Sequence, residues 1–167
     1  MGVPPAQACQ ALARFQNVRR RMQVRGSAGG VTVYDDFAHH PTAIRATLDG
    51  LRRRLDAQGR QGERILALFE PRSNTMKLGA VKEQLPWALE SAALAFCHAG
   101  GLEWDAAAAL APLGARAQVV GSVDELVARA VQVARAGDHL LCMSNGGFGG
   151  VHDKLLAALA ASTRSAD

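Results

Sequence analysis

Aromatic residues are scarce, at 5% of the 167 positions. Single-stranded nucleic acid is held largely by stacking bases on aromatic rings. The basic clusters Arg19-Arg20-Arg21 and Arg52-Arg53-Arg54 have no aromatic residue among them. The sequence therefore argues against nucleic acid as a partner, and the second cluster reads as a solvated face. Cysteine occurs only at Cys9, Cys97 and Cys142, an odd count with no C-x-x-C. That pattern supports neither a disulfide framework nor a zinc site. Cys97 and Cys142 lie in apolar runs and read as small buried hydrophobes. No apolar run approaches the ~20 residues that cross a bilayer. No basic start leads into an apolar segment and a cleavage site, so a cytoplasmic protein without membrane insertion is expected. Two phosphate-binding motifs, G-x-G-x-x-G and G-x-x-x-x-G-K-[ST], are also missing.

What is present fits a globular domain. Hydrophobic residues are 49% and charged residues 20%, close to the average for soluble folds. The length suits a single domain, residues 1–167. The net charge is +4, and 16 of the 19 basic residues are arginine. With 32 alanines, this usage reflects genome base composition more than function. The excess charge is compatible with a polyanion such as a nucleotide phosphate.

The apolar pattern predicts strands alternating with helices. A helix is expected over 4–14, then a β-hairpin over 20–36 around a glycine turn. Ile44, Leu48, Leu51 and Leu55 recur at helical spacing after Pro41. Buried strands are expected at 64–69, 93–99, 117–122 and 138–143. Residues 72–79 read as a polar segment, and 80–90 as a helix interrupted around Pro86. A short helix or turn is expected at 106–110 and helices at 124–136 and 152–161, with a frayed tail at 162–167. This order gives an α/β fold with a mostly parallel sheet of about six strands and one antiparallel hairpin. Ligands of such sheets sit outside the carboxyl ends of the strands, where three polar loops should gather.

The first loop, Asp35-Asp36-Phe37-Ala38-His39-His40-Pro41, carries two carboxylates and two imidazoles. Such groups ligate zinc and similar ions. Neighbours on an extended chain point to opposite sides, so these four do not all face one ion, and no metal ligand is assigned. His39, Asp36 or Thr42 as a helix cap is an alternative. A carboxylate at a strand end also suits ribose hydroxyls. The second loop, Glu70-Pro71-Arg72-Ser73-Asn74-Thr75, offers Arg72, a side chain able to grip a planar carboxylate with two parallel bonds. The third, Ser144-Asn145-Gly146-Gly147-Phe148-Gly149-Gly150, lets a backbone approach a ligand closely. Its amides at a helix start can hold an anion; a flexible glycine turn is the alternative.

VTVYDDFAHHPTAI resembles the C-terminal domain of the Mur ligase family, ATP-dependent amide-bond ligases that build the peptide of the bacterial cell wall. FEPRSNTMK and MSNGGFGG resemble one branch, which joins UDP-N-acetylmuramate to L-alanyl-γ-D-glutamyl-meso-diaminopimelate in peptidoglycan recycling. The resemblance implies a Rossmann-like three-layer sandwich and the last of three domains. The N-terminal domain of the family holds the UDP-sugar and the central one carries the P-loop. The C-terminal one closes over ATP and binds the incoming amino acid or peptide. Implied cofactors are ATP and Mg2+, held mainly by the central domain. Implied partners are UDP-N-acetylmuramate, the tripeptide and the chain's own N-terminal and central domains. Through the cell wall, a part in cell shape and division is implied too.

Arg21-Met22-Gln23 matches the family's R-[FM]-[EQ] step, which implies that Arg21 reaches the ATP phosphates on closure. Asp36 matches the Asp of D-[YF]-[AG]-H, implying a ribose contact, and His39 matches its His, near the incoming amine. Arg21, Asp36 and His39 are thus the implied catalytic set. Arg72 stands where diaminopimelate-adding relatives carry the Arg of D-N-P-R. Alanine-adding relatives have an H-R-Y-T-R-type run where this chain has R-S-N-T-M. This departure argues against free L-alanine and leaves Arg72, Ser73 and Asn74 as candidates for the peptide. Asn145, Gly146 and Gly147 replace a G-K-G-H-E loop and are further substrate candidates. Another Mur-type ligase, such as the alanine-adding enzyme, and a non-catalytic binding module are the alternatives. Without a P-loop, the 167 residues alone are expected to be inactive.

Overall fold

The protein is described by a computed structural model that covers residues 3–13 and 19–164. Helix α1 (Pro5–Ala13) precedes the hairpin of β1 (Gln23–Ala28) and β2 (Val31–Asp36). Arg14, the expected end of the first helix, lies outside the described residues. Then come α2 (Pro41–Ala57), β3 (Ile65–Phe69), α3 (Asn74–Lys77), α4 (Leu85–Ala88), β4 (Leu94–His98) and α5 (Ala106–Leu110). The chain closes with β5 (Ala117–Val120), α6 (Val123–Val133), β6 (His139–Met143) and α7 (Val151–Arg164).

The six strands lie in the order β1-β2-β6-β3-β4-β5. β1 pairs antiparallel with β2, and every other pairing is parallel, as the sequence pattern predicts. Gly29 and Gly30 make the hairpin turn with φ of 57° and 73°, the left-handed backbone that tight hairpins require. Successive side chains of a strand face opposite ways, and this divides the core in two. Ile65, Ala67 and Phe69 pack with Ile44, Leu48, Leu51 and Leu55 of α2. Leu66 and Leu68 pack with Leu126 and Val127 of α6 and Leu155 and Leu159 of α7. Helices therefore cover both faces, as a parallel sheet demands. Cys97 and Cys142 are buried; burial pushes the Cys97 thiol up to about 12.

Three local readings change. Residues 74–77 form a helical turn because the Ser73 hydroxyl accepts a hydrogen bond from the Met76 amide (3.4 Å) and Met76 is buried. Pro86 sits in the first turn of α4, where its missing N–H costs nothing, so it starts a helix instead of interrupting one. The last helix runs to Arg164, beyond the expected end at 161, and residues 165–167 of the expected tail lie outside the described residues.

At the amino end of the sheet, Asp138 is 1% exposed. It accepts from Arg64 Nε (2.9 Å), Arg64 Nη2 (2.5 Å) and the Arg135 amide (2.9 Å). Beside it, buried His139 takes the Tyr34 hydroxyl at Nδ1 (3.0 Å) and donates from Nε2 to Glu63 (2.7 Å). Removing one member of a buried pair strands the other charge. Arg64→Ala is expected to lower the unfolding free energy by about 2–3 kcal/mol, read as a lower urea midpoint with an unchanged slope.

Candidate active site

The parallel register places the ends of four strands on one edge. Asp36 lies beside Met143, Phe69 beside Met143, and Phe69 beside Cys97. Two backbone bonds extend the pairing into the loops, from the Ser144 amide to Asp36 O (3.1 Å) and from the Glu70 amide to Met143 O (3.2 Å). The three predicted loops accordingly emerge side by side.

Asp36 is 3% exposed, and both its carboxylate oxygens are used within the domain. Oδ2 accepts from the Met22 amide (2.7 Å). Oδ1 accepts from the Ala38 amide (2.8 Å) and the Thr47 hydroxyl (3.3 Å). Asp36 thus pins the turn before β1 to the loop after β2. That turn is unusual, since Arg20 and Met22 both have positive φ, 58° and 45°. Arg21 lies between them, exposed, with its guanidinium 5.7 Å from the Phe37 ring. His39 is half-buried, and its Nδ1 lies 2.8 Å from Phe37 O. A carbonyl oxygen only accepts, so Nδ1 carries the hydrogen and Nε2 of the neutral ring is a base. Capping of α2 does not follow the alternatives read from sequence. His40 is its N-cap, without a side-chain cap bond.

The ends of β3, β4 and β6 build a second polar group. Ser144 donates from Oγ to Glu70 Oε2 (2.7 Å) and accepts from the Gly146 amide (2.9 Å). Glu70 Oε1 lies 3.7 Å from His98 Nδ1. Among the described residues, His98 Nδ1 and Asn145 Oδ1 find no hydrogen-bond partner although both are buried. Arg72 lies across Gly146, where a Cβ would stand 2.5 Å from Nη1. A side chain at this position would displace the Arg72 guanidinium.

Asp35 faces the opposite side of the sheet from Asp36. Arg20 Nε lies 3.3 Å from both its oxygens, Arg25 Nη1 3.7 Å from Oδ2, and His152 Nε2 3.4 Å from Oδ1. These four side chains, with Gly146 and Gly147, line a cavity of about 240 Å³. Burial pushes the His152 imidazole below its ordinary range, against the pull of Asp35.

Of the sequence candidates, Arg21, Asp36 and His39 fall on one stretch of rim. Arg72, Asn145 and Gly146 fall on the next, with exposed Gly147 beside them. Ser73 spends its hydroxyl on α3, and Asn74 is the exposed first residue of that helix. Sequence reasoning assigned no role to Arg20, Asp35, His98, Ser144 or His152. Ser144 directly follows an apolar strand, a signal that was available. Arg20 and His152 carry no local signal, because their partners are more than a hundred residues away in the chain for each of the Arg20–loop bonds and for the His152–Asp35 contact. Among the described residues, no group of three or more His, Cys, Asp or Glu side chains is placed to hold a metal ion.

Residues 20–146 match the family described as "Mur ligase, glutamate ligase domain". The chain is 48% identical over 167 residues to the UDP-N-acetylmuramate–L-alanyl-γ-D-glutamyl-meso-2,6-diaminoheptandioate ligase of Escherichia coli, covering 99% of this chain and 36% of that protein. It thus spans about a third of the length of such curated relatives. A crystal structure of a murein peptide ligase from Psychrobacter arcticus superposes with a TM-score of 0.76 at 39% identity, covering 92% of this chain and 32% of that one. A domain described as part of a ligase of the same specificity from Haemophilus ducreyi matches at 42% identity, with a TM-score of 0.69. It covers 84% of this chain and 100% of that one.

Asp36→Ala removes three hydrogen bonds and leaves the Ala38 amide buried, so unfolding free energy is expected to fall by about 2–3 kcal/mol in a urea titration. His152 binds a proton less readily folded than unfolded. Its contribution therefore weakens stability as pH falls through its ordinary value of 6.5. His152→Gln is expected to flatten that part of the acid limb when urea midpoints are compared across pH.

Proposed function

This chain belongs to the Mur ligase family, and from that premise we propose that it is the C-terminal, peptide-binding domain of a three-domain, ATP-dependent amide-bond ligase. The substrates we assign to the whole enzyme are UDP-N-acetylmuramate and L-alanyl-γ-D-glutamyl-meso-diaminopimelate, joined in the cytoplasm during recycling of the cell wall. The observation that carries the reading is the convergence of the three motif loops on one rim, with Arg72 lying across Gly146. Identity of 48% along 99% of the chain supports the same assignment.

The reaction has two steps. The muramate carboxylate takes the γ-phosphoryl group of ATP and ADP leaves. The peptide amine then attacks the acyl phosphate, phosphate leaves, and the amine loses a proton. This domain contributes position and charge. Arg21, exposed at the rim, suits a phosphate. Asp36 is buried and accepts three hydrogen bonds within the domain, so its first task is to hold the Arg21 turn. His39, with Nδ1 tied to Phe37 O, presents Nε2 as an acceptor for the amine proton. Arg72 suits a peptide carboxylate. Asp36 is the one carboxylate among these side chains, and among the described residues no cluster is placed to hold magnesium; bound with ATP elsewhere in the enzyme, the metal would neutralise phosphate charge.

Ligation by the full-length enzyme tests the reading. The tripeptide should be the preferred amine over L-alanine, and Arg72→Ala should raise the tripeptide KM about tenfold or more while the ATP KM stays within about twofold. The 167-residue chain alone should neither ligate nor hydrolyse ATP. Preference for L-alanine, an unchanged tripeptide KM, or turnover by the chain alone overturns the corresponding part.

A further inference from the structure

Arg20 joins two segments that the proposed reaction uses separately. Its guanidinium donates from Nη2 to Ser144 O (2.6 Å) and to Gly146 O (2.8 Å). Its Nε faces both oxygens of Asp35 at 3.3 Å. Its backbone is fixed as well. Arg20 O accepts from the Phe37 amide (2.9 Å), and the Arg20 amide donates to Gln23 Oε1 (3.2 Å). The guanidinium also lies 5.3 Å from the Phe37 ring. Arg20 therefore holds the turn that presents Arg21 with its main chain, and the glycine loop with its side chain.

The backbone at this point is strained. Positive φ is rare outside glycine, yet Arg20 and Met22 both adopt it, at 58° and 45°. Such strain persists only where surrounding contacts over-determine it, and it concentrates at functional sites. Gly146 is where the two halves meet. Arg20 holds its carbonyl, while Arg72 covers the side where a Cβ would stand. A movement of the Gly146 peptide thus bears on both arginines.

We propose that Arg20 is a positioning residue that couples the glycine loop to the Arg21 turn, so that seating the amine substrate and presenting Arg21 to the phosphates are one event. This rests on the ligase reading for the roles of Arg21 and Arg72, but not for the coupling itself. Lysine keeps the charge and loses the planar fork, which makes Arg20→Lys the discriminating variant.

Two measurements test it. In the full-length enzyme, Arg20→Lys should raise the KM of the amine substrate and lower kcat per folded enzyme, each by roughly tenfold, whatever the change in thermal midpoint. A purely structural role would lower the midpoint and leave the constants per folded enzyme within about twofold, which overturns the proposal. The comparison uses whichever amine the wild-type enzyme ligates; rejection of the tripeptide then counts against the ligase reading alone. In the 167-residue chain, backbone amide NMR should show Arg20→Lys shifting Gly146 and Gly147 together with Arg21 and Phe37. Shifts confined to residues 19–23, with Gly146 and Gly147 unmoved, overturn the coupling whatever reaction the enzyme performs.

Discussion

β6 is hydrogen-bonded along both edges, to β2 and to β3, and all five of its residues are buried. Its neighbours run parallel to it, and a parallel sheet is stable only with both faces covered. α2 and the short helices take one face, and α6 and α7 the other. Chemistry is thereby confined to the strand ends. Register fixes which ends meet, since pairing Asp36 and Phe69 with Met143 leaves the three loops no choice but to adjoin.

The adjacent carboxylates at the end of β2 show how this constraint becomes function. Alternation sends Asp36 to one side of the sheet and Asp35 to the other. Asp36 gathers two amides and a hydroxyl and so fixes the turn around Arg21. Asp35 gathers Arg20, Arg25 and His152 and so anchors the side chain that holds the glycine loop. Neither carboxylate is spare. The geometry commits both to shaping the rim.

The strand and helix order was legible because it depends on local periodicity. Ile44, Leu48, Leu51 and Leu55, spaced for one helix face, are all buried. The polar loops were legible because each directly follows an apolar strand. The 3.4 Å Ser73 cap that turns 74–77 into helix was missed because a polar run looks alike whether it is loop or capped turn. Arg20 was missed for a different reason. In an arginine-rich chain one guanidinium looks like any other, and its two carbonyl partners lie more than 120 residues away. The positive φ at Arg20 and Met22 had no glycine to announce it.

The net charge of +4 also takes on a more specific meaning. Arg45, Arg52, Arg60, Arg64 and Arg129 pair with carboxylates of the domain itself, so these five guanidiniums are committed to the fold. Arg72 is different, since no ion pair is formed with it among the described residues and it lies exposed across a backbone glycine. Arg21 is held by a strained turn beside an aromatic ring. Under the ligase reading, these two cations face different parts of one reaction. Arg21 serves the phosphates and Arg72 the peptide. Among the described residues no cluster is placed to hold a metal ion, and under the ligase reading this domain contributes by fixing the distance between such groups; Arg20 bears on it through its bonds to the Arg21 turn and to the glycine loop, where Gly146 adjoins Arg72.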